Sequence, residues 1–276
     1  MDAGLHTHRT LAQFLADQLA RLPQVEAVGL GGSVSAGQGE PGSDIDLYVF
    51  ITAPVPIEER VRIKDLRGAA HADMGLHYFD EGDEWFDLPS GIEVDLILWD
   101  TRWMEEQLAR VIDRHQPSLG YTTCFWHTMK IMEPLFDRNG WLQTMQQKAN
   151  SEYPEVLREN IIQCNLPILH QVIPAFGNQI MKAVRRQDWV SVNHRLAAYL
   201  ASYFDILFAL NRQLHPGEKR LTLYAQQCAL QPKHLKEHLE QLLSPENKPD
   251  ETWLTVLSAM SEEITDLVRE QGIGID

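Results

Sequence analysis

Cysteine is scarce in this chain: Cys124, Cys164 and Cys228 are the three among 276 residues, odd in number and far apart. That usage excludes a disulfide framework and gives no cysteine spacing for zinc. A reducing cytoplasm is the setting it fits. Long apolar runs are missing as well; the longest fall far short of the roughly 20 residues that a membrane helix needs, so no membrane association is expected. The opening residues, Met-Asp-Ala-Gly-Leu-His, lack the basic and apolar regions of a signal peptide, and none is expected. Positive charge is in short supply, with 24 Lys and Arg against 39 Asp and Glu and a net charge of −15. An average field of that sign repels a long nucleic acid. It suits a small and even cationic substrate, although solubility alone accounts for the acidity equally well. There is no internal repeat, no low-complexity tract and no Gly-x-x-x-x-Gly-Lys-Ser/Thr phosphate loop. Gly37-x-Gly39-x-x-Gly42 matches the dinucleotide-binding string, but it contains Pro41 and leads into a strand rather than a helix, so it reads as a loop.

What the chain does have is an ordinary globular balance, 44% hydrophobic and 23% charged, and enough length for one large or two modest domains. Its most unusual stretch runs from Gly31-Gly32-Ser33 to Ser43-Asp44-Ile45-Asp46-Leu47-Tyr48-Val49-Phe50. Val25 to Leu30 reads as a strand and the Gly-Gly-Ser as the turn after it. Aspartate is depleted in strands, because it competes for local backbone hydrogen bonds and packs poorly on a pleated face. Two of them in a run of apolar strand formers need a reason. Alternation places Asp44 and Asp46 on one face and turns Ile45 and Leu47 to the core. Adjacent carboxylates repel unless a cation lies between them, and Mg²⁺, with its taste for carboxylate and phosphate oxygens, is the natural one. Glycines at 31 and 32 let a phosphate come close to the backbone; Ser33 adds a hydroxyl and an N–H, and a short helix starting near Val34 would add its positive end. A turn serine and a surface aspartate are the plain alternatives for Ser33 and Asp46 taken singly.

Gly-Ser, a spacer and Asp-x-Asp on a strand together resemble the DNA polymerase beta-like nucleotidyltransferase superfamily, in its bacterial small-molecule (aminoglycoside- and lincosamide-type) branch. That family requires a third carboxylate on a later strand, and Ile92-Glu93-Val94-Asp95-Leu96-Ile97-Leu98 supplies Asp95, with Val94, Leu96 and Leu98 on the opposite face. The resemblance implies two Mg²⁺ ions held by Asp44, Asp46 and Asp95, with Asp95 as a candidate base. It implies phosphate contacts from Gly32 and Ser33, with ATP or another nucleoside triphosphate as donor and pyrophosphate as product. The implied acceptor is a small-molecule hydroxyl, an antibiotic among the options. Glu84, Asp87 and Glu93 could attract an amine on it. Transfer to a protein hydroxyl, as in toxin–antitoxin members, and a non-catalytic nucleotide-binding regulator are the alternatives. Retired members lose a carboxylate, and all three are here.

Along the chain, Thr7 to Arg21 has helical spacing of Leu11, Phe14, Leu15 and Leu19. Ile57 to Ala70 reads as a helix carrying Glu58, Glu59, Arg60, Arg62, Lys64 and Arg67, a mixed charge that suits a solvated face, with reach of Arg60 or Lys64 to a triphosphate as the other option. Met74 to Phe79 reads as a short strand. Glu84–Leu88 and Ile92–Trp99 flank Pro89-Ser90-Gly91 as a hairpin, which puts Asp95 on a central antiparallel strand beside that of Asp44. Helices follow over Arg102–His115 and Thr122–Met132, then a strand from Glu133 into a turn at Asn139-Gly140, where Asp137 has turn chemistry to do. Leu135-Phe136-Asp137-x-x-Gly140 is similar to the string that closes the transferase domain of small-molecule nucleotidyltransferases. The expected division is therefore 1–149, catalytic, and 150–276, helical. The fold class is α+β: a mixed, largely antiparallel sheet with helices, then an all-α bundle. Val192, Leu196, Leu200, Tyr203, Leu207 and Leu210 form a core stripe in the second half, and Pro167 and Pro174 break the helix before it. Lys219, in the polar turn His215–Arg220, resembles the lysine that reaches the triphosphate from the helical domain in such enzymes; a solvated turn is the alternative. The apolar helical half could support a homodimer.

Overall fold

The computed structural model describes residues 3–32, 42–244, 246 and 248–274. They pack as two units, Met1–Leu108 with Phe125–Ser151, and Ala109–Cys124 with Glu152–Asp276.

The first unit is built on a six-stranded sheet. In chain order its elements are α1 (Ala3–Leu19), β1 (Val25–Leu30), β2 (Ile45–Ile51), α2 (Ile57–Asp65), β3 (Ala69–Leu76), β4 (Glu81–Asp87), β5 (Glu93–Asp100), α3 (Thr101–Ile112, shared between the units), α4 (Cys124–Ile131), β6 (Glu133–Asp137) and α5 (Trp141–Ala149). The strands lie in the order β3-β4-β5-β2-β1-β6. All neighbours are antiparallel except β2 and β5, which run parallel. Asp95 is thus on a central strand beside β2, as expected, but its pairing with β2 is parallel and only that with β4 antiparallel.

Alternation sorts the faces. Ile45, Leu47 and Val49 of β2, with Val94, Leu96 and Leu98 of β5, are buried on one side with Leu11, Leu15 and Leu19 of α1. The other side carries aromatic residues toward the C-terminal ends of the same strands: Trp99 lies 4.5 Å from Tyr48 and 6.2 Å from Phe50, and Phe50 lies 4.8 Å from Trp141.

Two expectations fail here for local reasons. The helix from Ile57 stops at Asp65 rather than Ala70, because Gly68 takes a left-handed turn (φ +77°) and Ala69 already starts β3. The solvated face holds at Arg62, which is exposed and paired with Glu59, but not at Arg60 or Arg67. Arg60 is buried and donates both bonds of a bidentate pair to Asp83 (3.1 and 3.0 Å), while Arg67 grips Asp87 (2.6 and 3.0 Å). These guanidinium forks tie α2 and the chain after it to β4, so Arg60 does not face a substrate.

The second unit is helical among the described residues: α6 (Glu155–His170), α7 (Phe176–Arg185), α8 (Trp189–Leu210), α9 (Leu221–Ala225), α10 (Leu235–Leu243) and α11 (Glu251–Glu270). α6 and α7 pack on α8, and α11 packs on α6, α7 and α10. Asp188 and Asp250 cap α8 and α11 by accepting from the amides of Ser191 and Trp253. The stripe on α8 is core at Val192, Leu196, Tyr203, Leu207 and Leu210, with Tyr199 buried in place of the half-exposed Leu200. Pro167 sits inside α6 near its end instead of breaking it, while Pro174 lies between α6 and α7. Cys124, Cys164 and Cys228 are free thiols. No helix among the described residues is long and apolar enough to cross a membrane.

Candidate functional site

The carboxylates singled out in the sequence meet on the face opposite α1. Asp46 and Asp95 are register partners on the parallel strands β2 and β5, so their side chains leave the sheet side by side. Asp44 lies immediately before β2, half-buried. Its approach is fixed from α1: the ring of buried His8 donates from Nε2 to the Ser43 carbonyl at 2.9 Å.

Register carries the acidic row further than the sequence predicted. Glu84 on β4 is the partner of Asp95, and Asp73 on β3 is the partner of Glu84. Asp46, Asp95, Glu84 and Asp73 therefore form one line across four strands. The outermost, Asp73, is exposed and bonded to His71 at 3.2 Å. Asp73 was not singled out in the sequence, and Glu84 was named only for its charge; strand register is what aligns both with Asp95.

The turn after β1 closes on this row. The Gly31 amide donates to the Asp46 carbonyl at 2.9 Å. Gly32 has φ +62°, and a Cβ built on it would lie 1.7 Å from Asp46 Oδ2. A Cβ on Gly31 would lie 2.2 Å from the Tyr48 ring. Both glycines are therefore required by close approach, and Gly32 by backbone conformation also. Ser33, and any helix beginning near Val34, lie outside the described residues.

Tyr48 reports the local field. Burial pushes its phenol well above the ordinary tyrosine range, and the carboxylates of Asp46, Asp95, Asp80 and Asp44 push it further. Asp80 comes from the loop between β3 and β4, where its Oδ1 accepts from Trp99 Nε1 at 3.1 Å. Neither Tyr48 nor Asp80 was identified from sequence; the acid-rich run Asp80-Glu81-Gly82-Asp83-Glu84 was the signal available.

Other expectations separate here. Asp87 cannot attract an amine, because it is buried and bonded to Arg67 and Ser90. Glu84 and Glu93 are exposed. Asp137 accepts from the amides of Leu142 and Gln143 (3.2 and 2.9 Å) and so caps α5, the turn role expected of it. Lys219 belongs to the second unit, exposed in the bend before α9.

Residues 12–135 match the family model of a nucleotidyltransferase domain. Residues 128–221 match a domain of unknown function (DUF4037). No curated protein matches the chain. Among solved structures, a nucleotidyltransferase-like protein from Exiguobacterium sibiricum 255-15 is 12% identical, with a TM-score of 0.44 over 97% of this chain and 75% of that one. A STING-associated CdnE c-di-GMP synthase from Capnocytophaga granulosa is 13% identical, with a TM-score of 0.32 over 97% and 81%. Likenesses this distant fix neither substrate nor mechanism. The domain match is the firmer finding, and it gives residues 12–135 the likeness of a nucleotidyltransferase domain.

Proposed function

We propose that the chain transfers a nucleoside monophosphate from a nucleoside triphosphate, ATP by resemblance, to a hydroxyl of a small cationic molecule such as an aminoglycoside. The observation that carries this reading is the acidic row headed by Asp46 and Asp95, set against a glycine turn within a matched nucleotidyltransferase domain.

The row fits divalent metal. Its donors are all carboxylate oxygens, the set that suits Mg²⁺, and like charges in adjacent register positions need a counter-charge. Asp44, Asp46 and Asp95 would hold the metal, two ions by resemblance. Bound Mg²⁺ supplies positive charge against the triphosphate and the departing pyrophosphate. In the transfer the acceptor oxygen bonds to the α-phosphorus, the bond from that phosphorus to the bridging oxygen of the β-phosphate breaks, and pyrophosphate leaves. The hydroxyl proton goes to Asp95 where that carboxylate lies within hydrogen-bond reach of the bound acceptor. Gly31 and Gly32 keep side chains out of the way of the phosphates, and Ser33 is assigned a hydrogen bond to them. Lys219 is assigned to the triphosphate on resemblance alone. Exposed Glu84 on β4 and Glu93 on β5 add negative charge beside the site, which favours an amine-bearing acceptor.

The test is thermal stability against a panel of nucleoside triphosphates, with and without Mg²⁺, for the native chain and Asp44→Asn/Asp46→Asn. At a hundred times the dissociation constant a ligand of the folded state adds about 2.7 kcal/mol. A Mg²⁺-dependent rise that disappears in the variant is expected. Pyrophosphate release is then screened with cationic acceptors, and Glu84→Gln should weaken their binding selectively. No rise with any triphosphate, in a chain that folds normally, overturns the reading.

A further inference from the structure

A second cluster of metal-ligating groups lies within the helical unit and has no part in nucleotidyl transfer. His234 and His238 stand one helical turn apart at the start of α10, in the string His234-Leu235-Lys236-Glu237-His238. Residues four apart on a helix share a face. The H-x-x-E-H spacing is one by which zinc enzymes hold their ion through two imidazoles. That string alone is weak, but α11 brings Glu263 to the same place.

The three groups converge. His234 Nδ1 lies 2.5 Å from Glu263 Oε1, and the His234 amide donates to Oε2 at 3.1 Å. His238 Nδ1 lies 3.8 Å from Oε2. The nearest ligand atoms of all three fall within 4.8 Å of one another. His238 supplies the independent observation: its Nδ1 is buried and makes no hydrogen bond. A buried polar atom without a partner is costly, and asks what should be there. At 3.8 Å from the carboxylate it is too far for a hydrogen bond.

The geometry points to a zinc-class divalent ion bound by His234 Nδ1, His238 Nδ1 and Glu263. Zn²⁺ holds nitrogen and carboxylate oxygen at about 2.0–2.2 Å, so the ligand atoms of a tetrahedral site lie about 3.3 Å apart. The His234–Glu263 contact would open and the His238–Glu263 gap would close, each by less than about 1 Å. Three protein ligands leave a fourth position for water. Mg²⁺ does not suit this site, because imidazole favours zinc, copper and nickel while Mg²⁺ wants oxygen. The ion would clip the start of α10 to α11, at the other end of α10 from the bond that Trp253 Nε1 donates to the Leu242 carbonyl.

The experiment titrates Zn²⁺ into the metal-free full-length chain by calorimetry, in excess Mg²⁺ to keep zinc off the acidic row. One Zn²⁺ per chain is expected, equally in the native chain and in Asp44→Asn/Asp46→Asn. His238→Ala and Glu263→Gln should each weaken it by at least about tenfold, since even partners that only orient a ligand are worth that much. Glu263→Gln keeps the shape of the contact and serves where His238→Ala disturbs packing; circular dichroism of the metal-free variants checks the fold. Co²⁺ in place of zinc should give the strong visible bands of a four-coordinate ion, lost in both variants. No stoichiometric Zn²⁺ binding, or full affinity in both variants, overturns the proposal. Zinc binding that vanishes only in Asp44→Asn/Asp46→Asn places the ion on the acidic row and overturns it too.

Discussion

Gly32→Ala is a sharp probe of the site, because its effects on stability and on activity arise separately. The backbone at Gly32 has φ +62°, and holding an L-residue in the left-handed region costs about 1–2 kcal/mol. The new Cβ would also lie 1.7 Å from Asp46 Oδ2 and 3.3 Å from Asp46 Cβ. The first overlap forbids the present position of the carboxylate, and the side chain must rotate away, at about 0.5–1.5 kcal/mol if it leaves a staggered well. The sum is about 1.5–3.5 kcal/mol, which a domain of ordinary stability survives. The functional cost is larger in proportion. Asp46 is displaced by more than 1 Å from beside Asp95, and a misplacement of that size is worth about a hundredfold in rate. Gly42→Ala is the control, since a Cβ there meets nothing within 4 Å. The assays are urea unfolding and Mg²⁺-dependent pyrophosphate release. The expected pattern is a modest stability loss with near-complete loss of turnover for Gly32→Ala, and neither for Gly42→Ala. A Gly32→Ala enzyme that loses stability yet turns over like the native one refutes the argument that the turn positions Asp46.

Two further outcomes are expected from buried charges. Burial lifts the Asp205 carboxyl to about 7, against the opposing bonds from the Thr122 hydroxyl and amide. Between about pH 4 and 7 the folded state then holds a proton that the unfolded chain has lost, so stability falls as pH rises through that window, by up to about 4 kcal/mol. Urea unfolding at pH 5 and pH 8 should give a clearly flatter dependence in Asp205→Asn; equal slopes in the two proteins would remove the assignment. Arg60→Met leaves Asp83 buried with the Gly75 amide but without its guanidinium, and unfolding should become easier by about 3–5 kcal/mol. Arg60→Met/Asp83→Leu should regain most of that loss, and failure to do so would mean that the pair matters for more than its charge.

How far the sequence revealed this arrangement depends on which interaction decided each element. β1 has the ends that its apolar pattern predicts, because local periodicity and tertiary burial agree there. Asp44 and Asp46 stood out because aspartate contradicts a strand pattern, and the contradiction is visible without a fold; Asp95 came from the third carboxylate that the family resemblance asks for. Asp73 was not legible, and the place of Glu84 in the row was not, since acidic residues on exposed strand positions are unremarkable until register aligns them with Asp95. The charges of Arg60 and Arg67 were misread for the converse reason. Mixed charge on a short helix suggests solvent, and only the packing of α2 against β4 shows that their partners are buried aspartates. His234, His238 and Glu263 needed α11 folded back on α10; the paired histidines were the local hint, and the carboxylate is 25 residues further on.

The parallel pairing of β2 with β5 explains why one face can be acidic at one end and aromatic at the other. Both strands begin with carboxylates and end with rings: Asp44 and Asp46 precede Tyr48 and Phe50, while Glu93 and Asp95 precede Trp99. Because the strands run the same way, like meets like, Asp46 beside Asp95 and Phe50 beside Trp99. Antiparallel pairing of these two strands over the same span would set the acidic end of each against the aromatic end of the other, and the charge would be diluted. Parallel neighbours need a long crossover, and here it is supplied by α2, β3 and β4. That crossover adds Glu84 and Asp73 to the row on its way back. The same connection spends its buried aspartates, Asp83 and Asp87, on arginine forks that hold it in place. The aspartates of this connection are therefore of two kinds: Asp83 and Asp87 are buried against arginines, while Asp73 joins the register row with Glu84, Asp95 and Asp46.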